Sequence, residues 1–273
     1  MYILFDIGGS KMRVAASVDE KKFNPPEIVK TQKDFKKGIA DLKFLIHKVS
    51  GGKKITAVAG GIPGFFDAKK EKIMGSAPNI SGWIDKPLVA EIKKITKSPV
   101  YLENDADLVG LGEAVYGAGR GYSSVAYFTV STGVGGGKII NGKIDSSISR
   151  TEPGEQIIDF KNKITLENLV AGRSIEKKYH KKPYEILYKK FWDNLAEILA
   201  VGVQNTIVHW SPDVVVIGGS MMKKIGIQIP RVQYHLKKSM KISHNDLPFP
   251  KIKKATLGDF GGLYGALVRV KQK

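Results

Sequence analysis

The chain of 273 residues carries 44 Lys and Arg against 26 Asp and Glu, a formal charge of +18, with 42% hydrophobic and 26% charged residues and no cysteine. That composition excludes a disordered chain, disulfides and thiolate metal sites, fits a reducing compartment, and leaves no apolar run near the ~20 residues that span a bilayer. The basic residues fall in scattered pairs such as Lys21-Lys22, Lys53-Lys54 and Lys181-Lys182, not in an aromatic-interleaved stripe, so they describe a solvated surface that draws anionic substrates and not a nucleic-acid interface.

Met1 to Phe5 is apolar but short, lacks a basic leader and stops at Asp6, so a cytoplasmic location is expected. Ile3 to Asp6 and Met12 to Val18 read as paired strands around Gly8-Gly9-Ser10-Lys11. Asp34 to Val49 places apolar residues at helical intervals with lysines between them. Ile55 to Ala59 reads as a buried strand and Gly60 to Gly64 as a loop. Asp85 is a candidate cap for a helix from Lys86 to Ile95, Val100 to Leu102 is a further strand, and Ala106 to Tyr116 reads as a helix.

The second half repeats the plan. Phe128 to Val130 leads into Ser131-Thr132-Gly133-Val134-Gly135-Gly136-Gly137-Lys138 and then Ile139-Ile140, again a glycine-rich hairpin between apolar runs. A polar loop is expected from Asp145 to Lys163, a helix from Leu166 to Tyr179, and a long helix from Pro183 to Trp210. Val214 to Ile217 is a β-branched run suited to a central parallel strand, and Phe260 to Val270 reads as a terminal helix. Alternating strands and helices define an α/β protein, and the recurrence of the hairpin indicates a duplication.

A turn without side chains brings its N–H groups close to phosphate oxygens, and neighbouring Ser, Thr and Lys add further donors. Neither turn is a Walker loop or a dinucleotide fingerprint, because both lead into strand-like runs instead of a helix. Two such hairpins can grip one polyphosphate; each alone is also compatible with an ordinary hairpin loop. Asp6, two residues before the first glycine pair, would face a phosphate only with a divalent cation between them, or else serves as a turn residue. Asp105, between a strand and a helix, has the placement of a general base or of a helix cap. Asn79, Glu103, Asn104, Glu152, Glu155 and Glu167 are polar residues beside turns and helix starts, the type of group a polyhydroxylated ligand needs, although scattered surface acids have the same pattern.

Taken in order, Asp6-Ile7-Gly8-Gly9-Ser10-Lys11, Gly61-Ile62-Pro63-Gly64, Ala77-Pro78-Asn79 with Gly82-Trp83, Glu103-Asn104-Asp105-Ala106, Ser131 to Gly137, Val216-Ile217-Gly218-Gly219 and Leu257-Gly258-Asp259 resemble the ROK family of sugar kinases over the whole chain. The resemblance implies two ribonuclease-H-like, actin-like domains around a central cleft, with 1–113 plus 258–273 in one and 114–257 in the other. It implies transfer of the γ-phosphate of ATP, with Mg2+, to a hexose hydroxyl. By match to the motifs, Asp105 is the catalytic base, and Asn79, Asn104, Glu152 and Glu167 contact the sugar. Asp6, Gly8, Gly9, Ser10 and Lys11, with Thr132, Gly133, Gly135 and Gly136, resemble the phosphate loops, Asp6 holding Mg2+ through water. Gly218, Gly219 and Gly258 resemble the adenosine side. Homodimers are common in the family.

One departure stands at Glu155, where the family usually has a histidine that contacts sugar and often a structural zinc; the cysteine loop that holds that zinc is missing as well. No zinc is therefore expected, and Glu155 is placed among the sugar contacts, where an acidic acceptor would alter sugar preference or weaken binding; an alternative register puts Glu155 itself on the family glutamate. The alternative reading is a non-catalytic sugar or nucleotide-binding regulator of the same fold. ROK repressors carry an N-terminal helix-turn-helix, whereas this chain opens on its first strand, which disfavours a DNA-binding member.

Overall fold

The computed structural model describes residues 1–75, 77–146, 151–240 and 249–272. The polar loop predicted over 145–163 lies outside them at 147–150. Contacts divide the chain into two compact units, Met1–Gly112 with Asp259–Lys273, and Glu113–Gly258.

The first unit opens with a hairpin of β1 (Tyr2–Ile7) and β2 (Lys11–Ser17), followed by β3 (Glu27–Lys30), α1 (Phe35–Ser50), β4 (Ala57–Ile62), the short pair β5 (Phe65–Phe66) and β6 (Ile73–Gly75), α2 (Leu88–Thr96), β7 (Val100–Asn104) and α3 (Asp105–Val115). Its main sheet has the order β3-β2-β1-β4-β7, with β1 antiparallel to β2 and parallel to β4, and β4 parallel to β7. Ile3, Leu4, Phe5 and Ile7 are all fully buried, as expected of a strand covered on both faces. Asp34 caps α1 by accepting the Lys37 N–H at 2.9 Å, and Gly51 ends it in the left-handed conformation at φ 54°. Leu42, Leu45 and Ile46 form its buried stripe.

Two local expectations are corrected here. Gly60 and Gly61 continue β4 instead of opening a loop. A Cβ on Gly60 would lie 2.3 Å from the Phe5 ring, and one on Gly61 would lie 3.1 Å from the Asp105 Cα, so these glycines serve close packing between neighbouring elements. Asp85 does not cap a helix. It adopts φ 59°, its N–H donates to the Ile73 carbonyl at 2.8 Å, and α2 starts only beyond Pro87. The backbone geometry of the β6 bridge takes precedence over the capping preference of the side chain.

The second unit contains β8 (Ser124–Val130), β9 (Val134–Ile140), β10 (Lys143–Ile144), β11 (Ile157–Asp159), β12 (Ile164–Thr165), α4 (Leu166–Val170), α5 (Gly172–Tyr179), α6 (Lys189–Trp210), β13 (Val214–Gly218), α7 (Ile229–Ser239) and β14 (Lys251–Lys254). Its sheet order, β10-β9-β8-β13-β14, reproduces the first: an antiparallel hairpin whose leading strand pairs in parallel with later strands. Trp192, Leu195, Leu199 and Val203 of α6 pack on Phe128, Val215 and Ile217 in one apolar core.

The single helix predicted over 166–179 is broken at Ala171, whose ψ is 143°. The cause lies elsewhere in the chain: Gly172 N–H donates to the Ser131 carbonyl at 2.8 Å and Arg173 N–H to the Thr132 carbonyl at 3.2 Å, so the second hairpin takes donors that a continuous helix would use. The helix predicted from Pro183 begins at Lys189, since the Trp192 indole N–H claims the Ile186 carbonyl at 2.7 Å. The final helix α8 (Gly261–Lys271) returns to the first unit, where it packs on β1 and β4. Among the described residues, no helix is long and apolar enough to cross a membrane.

Candidate active site

Three parallel strands of the first unit end side by side, with Asp6 opposite Gly61 and Gly61 opposite Glu103. Such carboxyl ends are where open α/β sheets present ligand-binding groups. Asn104 closes β7 and caps α3: its Oδ1 accepts from Ala106 N–H at 2.9 Å and Asp107 N–H at 3.3 Å, while its Nδ2 donates to the Gly64 carbonyl at 3.3 Å. Asp105 is half-buried as the first residue of α3, with Oδ1 accepting the Ala106 N–H at 2.9 Å. A carboxylate held at a helix N-terminus is favoured in its ionised form by the aligned peptide dipoles.

The first hairpin turns through Gly8, Gly9 and Ser10. Thr31 takes two of its carbonyls, with Oγ1 donating to Gly8 O at 2.7 Å and N–H to Ser10 O at 3.0 Å. Those oxygens are thereby engaged within the fold. Ser10 and Lys11 are exposed. Asn79, also exposed, lies against the turn: a Cβ on Gly9 would meet its Nδ2 at 2.6 Å. The residues assigned to sugar and to phosphate in this unit therefore touch at Gly9 and Asn79.

Asp6 accepts from Arg13 Nη1 at 3.1 Å, and Arg13 Nη2 is 3.7 Å from Asp259. Burial pushes the Asp6 carboxyl up to about 6 against the opposing pull of Arg13. The raised value means that stability from this group is present below the ordinary carboxylate range and is lost as pH rises from about 4 to about 6. Asp6→Asn should therefore gain on the native protein by roughly 3 kcal/mol between pH 3.5 and pH 7, at ~1.4 kcal/mol per pKa unit. Paired urea titrations at those two pH values measure this directly, and an unchanged difference would contradict the assignment.

In the second unit, β8 and β9 turn through Ser131, Thr132 and Gly133, with Ser131 N–H donating to Gly133 O at 2.8 Å and the Ser131 and Ser220 hydroxyls 2.9 Å apart. Thr132 is exposed. Glu167 turns toward this hairpin, Oε2 accepting the Val134 N–H at 2.8 Å and Oε1 accepting from Arg173 Nη2 at 2.9 Å. The turn Pro153–Glu155 packs on β9: a Cβ on Gly136 would lie 2.6 Å from Pro153 Cγ, and one on Gly154 would lie 2.3 Å from Val134 O. That packing sets half-buried Glu152 and exposed Glu155 beside the strand that carries Gly135 and Gly136.

Gly218 ends β13, and Gly219, at φ +99°, leaves only 2.2 Å between a Cβ and the Val130 carbonyl, so only glycine fits there. Gly258 adopts φ +56° with open space around it. The turn after Gly219 runs through Met221 to Gly226, where a Cβ would meet Met221 O at 2.2 Å. Gly226 borders a groove of about 620 Å³ lined by Leu187, Lys190, Trp192, Lys224, Ile225 and Arg231. The sequence did not reveal this groove. Trp192 fits the helical periodicity of a core residue, and nothing local announces that the start of α6 faces the segment after β13. Arg13 was also missed, although the hairpin register that pairs it with Asp6 would have found it.

One Asp6 carboxylate oxygen accepts from Arg13, and the other lies 3.1 Å from where a Gly262 Cβ would stand. Among the described residues, no three His, Asp or Glu side chains gather in a metal-holding group.

Two topologically equivalent mixed sheets, each led by a glycine hairpin, define the actin-like ATPase fold of the ROK sugar kinases. The ROK family profile matches residues 2–273, and the chain belongs to that family. It is 27% identical over 302 residues to an N-acetyl-D-glucosamine kinase of Pasteurella multocida, covering 96% of each chain. With a glucokinase of Thermotoga maritima it shares 27% identity over 264 residues, 80% of this chain and 81% of that one. The crystal structure of a ROK hexokinase from Thermus thermophilus matches with a TM-score of 0.83 at 25% identity, covering 100% of this chain and 99% of the other.

Proposed function

We propose that this protein is an ATP-dependent hexose kinase. The observation that carries the reading is the β7–α3 junction, where Asn104 caps the helix and so fixes Asp105 at its first position, packed against Gly61 at the end of β4. Asp105 takes the proton from a sugar hydroxyl as that oxygen attacks the γ-phosphorus. The bond from the γ-phosphorus to its bridging oxygen breaks, ADP leaves, and the proton passes from Asp105 to solvent. Asn79 and Asn104 in the first unit, and Glu152, Glu155 and Glu167 in the second, are assigned to the sugar hydroxyls.

Gly8 to Lys11 and Thr132 to Gly136 are assigned to the phosphates. Gly218, Gly219 and Gly258 take the adenosine side, and the groove after Gly219 supplies apolar walls at Trp192 and Ile225 for the base, with Lys190, Lys224 and Arg231 at its rim. Asp6 would hold Mg2+ through water, and the ion, carried in with the nucleotide, would supply positive charge against the phosphates. The curated relatives support a sugar substrate, and a cytoplasmic location supplies both ATP and a reducing setting for it. An ADP-release screen across glucose, mannose, fructose, N-acetylglucosamine and N-acetylmannosamine tests the reading: release that depends on at least one hexose is expected, and hexose-independent release would contradict it. The groove is tested separately by Ile225→Asp, expected to raise KM for ATP about tenfold and leave the hexose KM within twofold.

A further inference from the structure

We propose that Arg173 is a positioning residue for the second glycine hairpin, acting through Glu167 to keep that turn in the shape and charge state that receives a nucleoside triphosphate. The inference rests on the nucleotide assignment above. It starts from a mismatch: the Glu167 carboxylate lies against the very turn that is to take an anion, so close that a Cβ on Gly133 would stand 2.7 Å from its Oε2. Left alone, that charge repels phosphate.

Arg173 resolves the mismatch in two ways. Its guanidinium pairs with Glu167 Oε1 at 2.9 Å, which neutralises the carboxylate and orients the other oxygen onto the Val134 N–H at 2.8 Å. Its own N–H donates to the Thr132 carbonyl at 3.2 Å, next to the Gly172 N–H on Ser131 O at 2.8 Å. The break between α4 and α5 is what frees both of these donors. Neither the turn nor the break explains Arg173 as a surface residue, since alanine would supply the same backbone N–H. Its side chain is 52% exposed and Glu167's is 22% exposed, so the guanidinium reaches the carboxylate from the solvent side.

The test is calorimetric binding of Mg2+ with the non-hydrolysable analogue AMPPNP, without sugar, to the native protein, Arg173→Ala, Glu167→Gln and the double variant, each checked for native melting. Arg173→Ala should weaken binding about tenfold. The double variant should recover at least threefold of that loss, because glutamine keeps an acceptor for Val134 without the unpaired charge; a residue acting by packing alone would show no recovery. Faster amide exchange at Val134 in Arg173→Ala is the companion result. Binding within twofold of native in Arg173→Ala, or a double variant no better than the single, overturns the proposal. Native protein that fails to bind AMPPNP would sink the nucleotide assignment itself, while Val134 exchange still reports whether the brace exists.

Discussion

Replacing Asp105 by asparagine should lower kcat for hexose phosphorylation by about 10²–10⁴-fold, the range of a lost general base. The substitution is nearly isosteric and keeps an oxygen acceptor for the Ala106 N–H, while Asn104 goes on capping α3. Folding stability should therefore hold, and hexose KM should change by no more than a few-fold. That split between kcat and KM is the signature of an interaction used in the transition state and little in binding. Turnover within threefold of native in a coupled ADP-release assay would remove Asp105 from the chemistry.

The second large effect is on stability. Gly265→Ala should cost about 3 kcal/mol, because its Cβ would fall 1.8 Å from the Leu108 carbonyl oxygen and 2.6 Å from the carbon behind it. Both obstacles are backbone, so no rotamer change relieves them, and α8 has to move off α3. Leu108 is one turn beyond Asp105 on α3, and Gly262, one turn before Gly265 on α8, lies against Asp6, so kcat should fall along with the melting temperature. A drop of roughly 6–12 °C in a thermal melt is expected. Gly75→Ala is the matched control: a Cβ there meets nothing within 4 Å, and a shift comparable to that of Gly265→Ala would discredit the packing argument.

Much of this architecture was readable before any coordinates, for identifiable reasons. Both hairpins announce themselves because glycine runs interrupt apolar strands and lead into further apolar residues, a pattern that depends on neighbours in the chain. The β7–α3 junction is similarly local: an extended run stops at an Asx pair and helical periodicity begins. What failed depended on partners distant in sequence. Gly60 and Gly61 resemble loop residues until Phe5 and Asp105 are seen pressing on them. The break at Ala171 has no local marker, since its cause is the Ser131–Thr132 turn some forty residues earlier. The pairings of Arg13 and of Arg173 and the groove at Trp192 arise only through tertiary placement within their own units, and polar or periodic residues of their kind are common on any helix or strand.

Phosphorus-31 NMR of the protein with Mg2+, ATP and a hexose accepted in the screen tests the central claim most directly. The account predicts that the γ-phosphate resonance of ATP decays while a sugar phosphomonoester resonance grows in equal amount, with ADP formed in step. Appearance of inorganic phosphate in place of the sugar ester, or an unchanged ATP spectrum from folded protein that binds both ligands, would contradict it.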